Sequence, residues 1–167
     1  EWDYEAKEKE AAQQLIGAGA DVSTYHQNRP NVVAAAEEAG IYSIGYHAAA
    51  EGASGKHLTA VVCDWGMVYE EIIREYMIGK GNLQDNYWIG MEAQAVGLSE
   101  LSSEVTAEIR EELAQAKQEL LTGKDVFSGV IYDNAGKLRC GEKEVISDEM
   151  LLEQFDWYVE GVRFYER

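Results

Sequence analysis

Three histidines, His26, His47 and His57, are the only imidazoles in the chain, and the first two stand where predicted strands end. Asp64 follows a third such segment, within Cys63-Asp64-Trp65. If these strands lie side by side, His26, His47 and Asp64 share one edge, where they could form an acid–base cluster or a metal site. The alternative is that each imidazole hydrogen-bonds a loop or a ligand. No histidine pair falls at the i, i+3 or i+4 spacing of a helical metal site, so no metal is expected. Trp2 precedes a predicted helix and Trp65 ends a predicted strand, so both would wall the same edge, and a flat aromatic ligand suits such walls. Trp88 and Trp157 sit in apolar segments and read as core. Nucleotide-phosphate cradles are disfavoured, since GxGxxG, GxxxxGK[ST] and GxSxG are all absent.

The elements that must position these groups alternate. Residues 4–17 have helical apolar spacing behind Asp3, a candidate N-cap, and Gly17 and Gly19 end that helix. Ala20–His26 reads as a strand, 31–39 as a helix entered through Pro30, and Ile41–His47 as a second strand, giving a parallel βαβ unit. A flexible stretch, 48–56, leads to a strand at Leu58–Cys63 and an amphipathic helix at Met67–Ile78. Tyr87–Met91 and Ala95–Leu98 read as short strands, and Glu104–Leu121 as a helix capped by Ser102 or Ser103. A hairpin follows at 126–140, turning at Asp133-Asn134-Ala135-Gly136, and a helical segment runs from Asp148 to the end. The order predicts an α/β fold with a largely parallel sheet, burying Val22, Ile41, Ile44, Val61 and Val62, and with its ligand site outside the carboxyl ends of its strands.

Composition narrows the partners. The 167 residues carry 31 acidic and 14 basic side chains, a net charge of −17 that repels a phosphate backbone, so nucleic acid is an unsuitable partner. A hydrophobic fraction of 46% is enough to bury a core. Cys63 and Cys140 lie too far from one another for a CxxC pair and read as small buried residues. No apolar run approaches the ~20 residues of a membrane span. The chain opens at Glu1 without an initiator Met, which points to a processed or excised piece.

The runs EWDYEAKEKEAAQQLIGAGADV, HQNRPNVVAAAEEAGIYSIGY, HLTAVVCDWGMVYEEII and DEMLLEQFDWYVEGV resemble the basic membrane protein family of solute-binding proteins, the purine nucleoside receptor-like group of ABC import systems. The resemblance covers nearly the whole chain in order. It implies one lobe of a type I periplasmic-binding-protein fold: a single α/β lobe over 1–167, the C-terminal lobe of a two-lobed receptor. Within it, 64–91 is a crossover segment that packs with the missing first lobe. Carried over by motif, Trp2 matches the aromatic that stacks on the base. His26, Gln27 and Asn28 match the family's first βα loop, with Pro30 retained and Arg29 where a small residue is usual. Tyr46-His47-Ala48-Ala49 matches a segment usually read Tyr-(Asp or Asn)-Ser-Asp, so His47 and Ala49 replace polar or acidic groups. Cys63-Asp64-Trp65-Gly66 matches Trp-(Asp or Asn)-Trp-Gly, with Cys63 replacing an aromatic.

The resemblance therefore implies a non-enzymatic receptor component of an ABC importer without cofactor or metal, binding a purine base or nucleoside through Trp2, His26, Gln27, Asn28, His47, Asp64 and Trp65. Its partners would be an ABC permease and either the missing first lobe or a second copy of the chain. Its place would be extracytoplasmic, lipid-anchored to the cell membrane in the full-length protein, or periplasmic. The substitutions at His47, Ala49 and Cys63 keep open a sensory or adhesive surface module of the same fold that has lost its solute. A hydrolase using His26 or His47 with Asp64 is a third reading.

Overall fold

The computed structural model describes residues 4–48, 52–79 and 86–164, and the chain falls into two compact units, 1–115 and 116–167. The first opens with α1 (Glu5–Gly17), β1 (Val22–Thr24), α2 (Asn31–Ala39), β2 (Tyr42–His47) and β3 (His57–Cys63). It continues through α3 (Trp65–Met77), β4 (Val96–Leu98) and the start of α4 (Ala107–Leu121). The sheet order is β1-β2-β3-β4, with β1, β2 and β3 parallel and β4 antiparallel to β3. This is the α/β, mostly parallel sheet flanked by helices that the alternation of elements predicts.

Helix α2 ends at Gly40, whose φ of +69° is the left-handed cap that glycine adopts without steric cost. It buries Val32, Val33, Ala35 and Ala36 and packs on β1 and β2, while α1 packs on α2. The buried Glu8 carboxylate ties the two helix starts together. It accepts the Asn31 Nδ2 hydrogen bond at 2.6 Å and the Tyr4 backbone N–H at 3.3 Å.

The buried strand positions are not the large aliphatics. Val22 is 44% exposed, and Ile41, Ile44, Val61 and Val62 are half-buried. Ser23, Ser43, Gly45 and Ala60 are buried instead, with Ser23 paired to Ser43 and Gly45 to Ala60. Strand alternation explains the difference, since Val22 and Ile44 point away from the face that their neighbours Ser23 and Ser43 bury. At the centre of that face Ser43 Oγ and His57 Nδ1 are 3.0 Å apart, and His57 Nε2 is buried without a partner. A β-bulge follows at once: Ser43 pairs with His57, but Ile44 pairs with Thr59.

Several expected elements differ. Residues 86–90 form no strand, because the Gly90 N–H is taken by the Glu92 carboxylate and the Gly90 carbonyl by the Ala95 N–H, before a short 3₁₀ turn at Met91–Ala93. Helix α4 starts later than its sequence suggests, capped by Thr106 Oγ1 on the Ile109 N–H at 3.3 Å. Ser102 is engaged elsewhere, donating its hydroxyl to the Gly55 carbonyl. Trp88 is exposed rather than core, and Cys63 is half-buried while Cys140 is buried.

The second unit holds β5 (Ile131–Tyr132) and β6 (Leu138–Cys140), an antiparallel pair, over a core of Cys140, Ile146 and Trp157. Asp133 organises the turn. Its carboxylate accepts the backbone N–H groups of Ala135 and Lys137 at 2.9 Å each and Arg139 Nε at 2.7 Å. The Lys137 N–H first, and then the Arg139 guanidinium, hold the Asp133 carboxyl below its ordinary value. The long C-terminal helix is reduced to one π-helical turn, Met150–Gln154. The chain after it is captured by the hairpin, where the Glu160 N–H bonds the Tyr132 carbonyl and the Asn134 N–H bonds the Tyr158 carbonyl.

Two outcomes follow from the His57 environment. A Cβ on Gly45 would stand 2.9 Å from His57 Cε1 and 3.0 Å from Ala60 Cβ, so Gly45→Ala should cost about 1–3 kcal/mol of overpacking in urea denaturation. Burial, opposed by the Glu37 carboxylate, holds the His57 pKa below its ordinary value. The unfolded chain then takes up a proton, near pH ~6.5, before the folded one does. Stability is therefore highest above that pH and should fall as pH drops through it. The urea midpoint of His57→Gln should lose less between pH 7.5 and 5 than that of the native chain, and equal losses would remove His57 as the cause.

Candidate functional site

Parallel pairing of β1, β2 and β3 brings their carboxyl ends to one edge of the sheet, so His26, His47 and Asp64 come from three adjacent strand ends. A ladder of rings runs along this edge. The His26 and Tyr46 centroids are 4.1 Å apart at 72°, those of Tyr46 and His47 4.1 Å apart at 51°. His47 and Trp65 follow at 6.4 Å, and Trp65 stacks on Tyr69 at 6.4 Å and 24°. Such offset and edge contacts are favoured by ring quadrupoles, and they leave ring faces available. Trp65 is 51% exposed.

His47 has φ of +69°, a left-handed conformation uncommon outside glycine. Simple alternation would put Tyr46 and His47 on opposite faces of β2, and the left-handed turn is what accompanies their ring contact at the strand end. Non-glycine residues held this way cost of order 1–3 kcal/mol and cluster at ligand sites.

Asp64 sits at the same edge but serves the scaffold with one oxygen. Its Oδ1 accepts the Met67 N–H at 3.1 Å as the N-cap of α3, and its own N–H bonds the Ala95 carbonyl. Gln27 and His26 line a cleft of about 450 Å³ between α1 and β1, with Leu15, Val22, Ser23 and Tyr25 among its other walls. Ser23 Oγ and Gln27 Oε1 are buried there without hydrogen-bond partners. Burial pushes the Tyr25 hydroxyl above its ordinary pKa, partly offset by a hydrogen bond to the Tyr46 backbone. Asn28 is exposed on the loop before α2.

The structure thus gathers His26, His47 and Trp65 into one ring edge and places Asp64 beside them as a cap. Trp2 and Ala49 lie outside the described residues. His57 belongs to the sheet interior instead, bonded to Ser43. Two residues of the ladder were not among the expected ligand contacts, Tyr46 and Tyr69. The signal for Tyr69 was its i, i+4 spacing from Trp65 on a helix. Tyr46 had its place in the strand-end pair Tyr46-His47, and the left-handed backbone at His47 accompanies the contact of the two rings. Among the described residues no group of three or more His, Cys, Asp or Glu side chains is placed to hold a metal ion, and no helix is long and apolar enough to cross a membrane.

Comparison with known proteins bears on the same region. The model of one family, described as ABC transporter substrate-binding protein PnrA-like, matches residues 1–125. The chain is 31% identical over 156 residues to the Haloferax volcanii protein named Putative ABC transporter glucose-binding protein TsgA13, covering 92% of this chain and 37% of that protein. It is 28% identical over 165 residues to a purine-binding protein of Brucella abortus, covering 96% of this chain and 46% of that protein. A solved structure, a transcriptional activator of the comK gene from Bacillus halodurans, superposes with a TM-score of 0.66 at 26% identity, over 74% of this chain and 44% of that one. The chain therefore spans less than half the length of these curated relatives.

Because Asp64 caps α3, Asp64→Ala should lower stability by about 1 kcal/mol, and Asp64→Ser should retain most of it. Chemical denaturation of the three proteins side by side measures both, and equal midpoints would deny the capping role.

Proposed function

The chain belongs to the family of PnrA-like ABC transporter substrate-binding proteins, and from that premise we propose that it holds a purine base or nucleoside against the ring edge of its sheet. The observation that carries the reading is the ladder His26, Tyr46, His47, Trp65 and Tyr69, which offers exposed aromatic faces at the strand ends where such sheets take ligands. Stacking a flat heterocycle on Trp65 contributes about 0.5–1.5 kcal/mol beyond buried area. His26, His47, Gln27 and Asn28 supply hydrogen bonds in the plane of the ring, Asp64 uses its second oxygen for a ring or exocyclic N–H, and Trp2 adds a second stacking ring, as its match to the family motif implies. A purine-binding relative supports the ligand class, as does the exposed, near-parallel Trp65–Tyr69 ring pair.

In this reading the chain is the C-terminal lobe of a receptor that delivers its solute to an ABC permease outside the cytoplasmic membrane, lipid-anchored or periplasmic. It performs no chemistry on the solute. A partner lobe encloses the ligand from the opposite side, and the segment 64–91 packs with it. Pockets usually bury ~70–90% of a small ligand, so one lobe alone supplies roughly half the contacts.

Titration calorimetry of the chain with inosine, guanosine, adenine and glucose tests this. The expected result is binding of at least one purine compound with Kd weaker than about 1 μM, and a roughly five-fold loss in Trp65→Ala, the equivalent of about 1 kcal/mol. Heat from glucose without heat from any purine would assign a sugar receptor, as the name of the Haloferax volcanii relative suggests for that protein. No binding of any of the four would favour a sensory or adhesive module of the same fold.

A further inference from the structure

His57 differs from the other two imidazoles in standing inside the sheet, and its two nitrogens have unlike surroundings. Nδ1 lies 3.0 Å from Ser43 Oγ, while Nε2 is buried with no hydrogen-bond partner among the described residues. The ring fills the room that Gly45 leaves: a Cβ there would meet His57 Cε1 at 2.9 Å and Nε2 at 3.3 Å. A neutral imidazole suits this place, with its proton on Nδ1 given to Ser43 and a bare lone pair on Nε2. A protonated one does not. Both nitrogens then carry a proton, and the second is aimed at Gly45, where nothing accepts it. A buried charge left without a partner is costly, so the ring gains by leaving.

The charged groups around the ring decide the direction. Glu37 of α2 attracts a proton on His57 electrostatically, and its carboxylate accepts the Ser54 N–H on the segment leading into β3. Its neighbour Glu38 is paired with Lys9. Lys56 gives its ammonium to the Gly40 carbonyl and lies over the Tyr42 ring of β2, and Glu104 lies against Gly55. The other titratable groups of β2, Tyr46 and His47, belong to the ring edge, and β4 has none. A charged ring is therefore drawn toward Glu37 and away from Gly45. The same ring pins the bulge: Ser43 pairs with His57, and after Leu58 the alignment runs from Ile44–Thr59 to His47–Val62. We propose that His57 is an acid switch for the ring edge: on gaining a proton its ring leaves the space beside Gly45, the bulge loses its pin, and the contacts of Tyr46 with His47 and of His47 with Trp65 loosen. By linkage, a solute held at that edge binds more weakly as pH falls through the His57 titration; this consequence alone rests on the purine reading.

Proton NMR of the full chain without ligand, between about pH 8 and about pH 5 to bracket histidine titration, tests the switch independently of the purine reading. Each histidine Cε1–H gives its own titration curve, and cross-relaxation between the Tyr46 and His47 rings, whose centroids are 4.1 Å apart, reports the ladder. In the native chain this cross-peak should fall by at least half, with the midpoint of the His57 curve rather than that of His26 or His47. His57→Gln carries no charge and keeps a hydrogen-bonding group for Ser43, so its cross-peak should stay constant over the same range. Gly45→Ala, which takes the room the ring needs, should show the weakened cross-peak already at the alkaline end. A cross-peak that follows the His47 curve, or that still falls in His57→Gln, overturns the proposal by placing the titration in the ladder itself. One that stays constant while His57 titrates in the native chain overturns it too, by showing that the ring edge does not sense the bulge. Should far-UV circular dichroism show His57→Gln unfolded, the midpoints in the native chain and the Gly45→Ala spectrum decide.

Discussion

The site depends on how β2 lies against β3, and that register turns on one close approach. Gly45 has no side chain, so the His57 ring can lean over the strand and meet Ser43. Leu58 is the extra residue that follows, and beyond it His47 aligns with Val62 rather than with Val61. A slip of one position turns every later side chain of a strand to the other face. The bulge therefore sets where β3 ends relative to β2, and with it the reach of Trp65, at the start of α3, to the His47 ring. A contact in the interior between a glycine, a serine and a histidine thus governs an arrangement of rings at the surface.

The polar character of that interior has a physical reason. Small residues on the buried face of the sheet, Ser23, Ser43, Gly45 and Ala60, let α2 with its own alanines approach closely. What is lost in hydrophobic area per residue is offset by short separations and by hydrogen bonding, as in the Ser43–His57 pair. Next to β3 the same economy recurs: Thr59 Oγ1 donates to the Ser99 carbonyl at 3.0 Å, and Ser99 Oγ accepts the Ala60 N–H at 2.9 Å. The chain beyond β4 is thereby tied along β3 by side chains as well as by backbone.

What could be read from the sequence was what local chemistry decides. Helix α2 appears at its expected bounds because Pro30 and Gly40 frame it with backbone preferences that need no tertiary help. The hairpin turn was legible for the same reason, since Asp133 and Gly136 carry their own turn geometry. The shared strand edge was legible from the alternation of elements, and with it the placement of His26, His47 and Asp64. Burial was not, because large aliphatics in a strand attract the assignment of core, whereas here the helix packs on their small neighbours. The C-terminal helix failed similarly: its residues have helical composition, but the hairpin edge of β5 offers hydrogen bonds to 158–160 that an isolated segment does not possess. The ring ladder was half visible, since strand ends announce His26, Tyr46, His47 and Trp65, whereas Tyr69 joins it only through the first turn of α3.

Of the chain's four tryptophans, the three among the described residues differ sharply in their surroundings. Trp157 is buried in the second unit, where the Arg139 guanidinium lies 5.3 Å above its ring, and Trp65 is half open at the ring edge of the first. An indole shielded from water emits at shorter wavelength than a solvated one, so the two contribute different colours to the fluorescence. Loss of order around the hairpin would redden the short-wavelength component that Trp157 supplies, whereas the long-wavelength part is shared by Trp65 beside His47 and by the exposed Trp88. The burial of Trp157 therefore makes the blue side of the emission an unlabelled report on the order of the hairpin core.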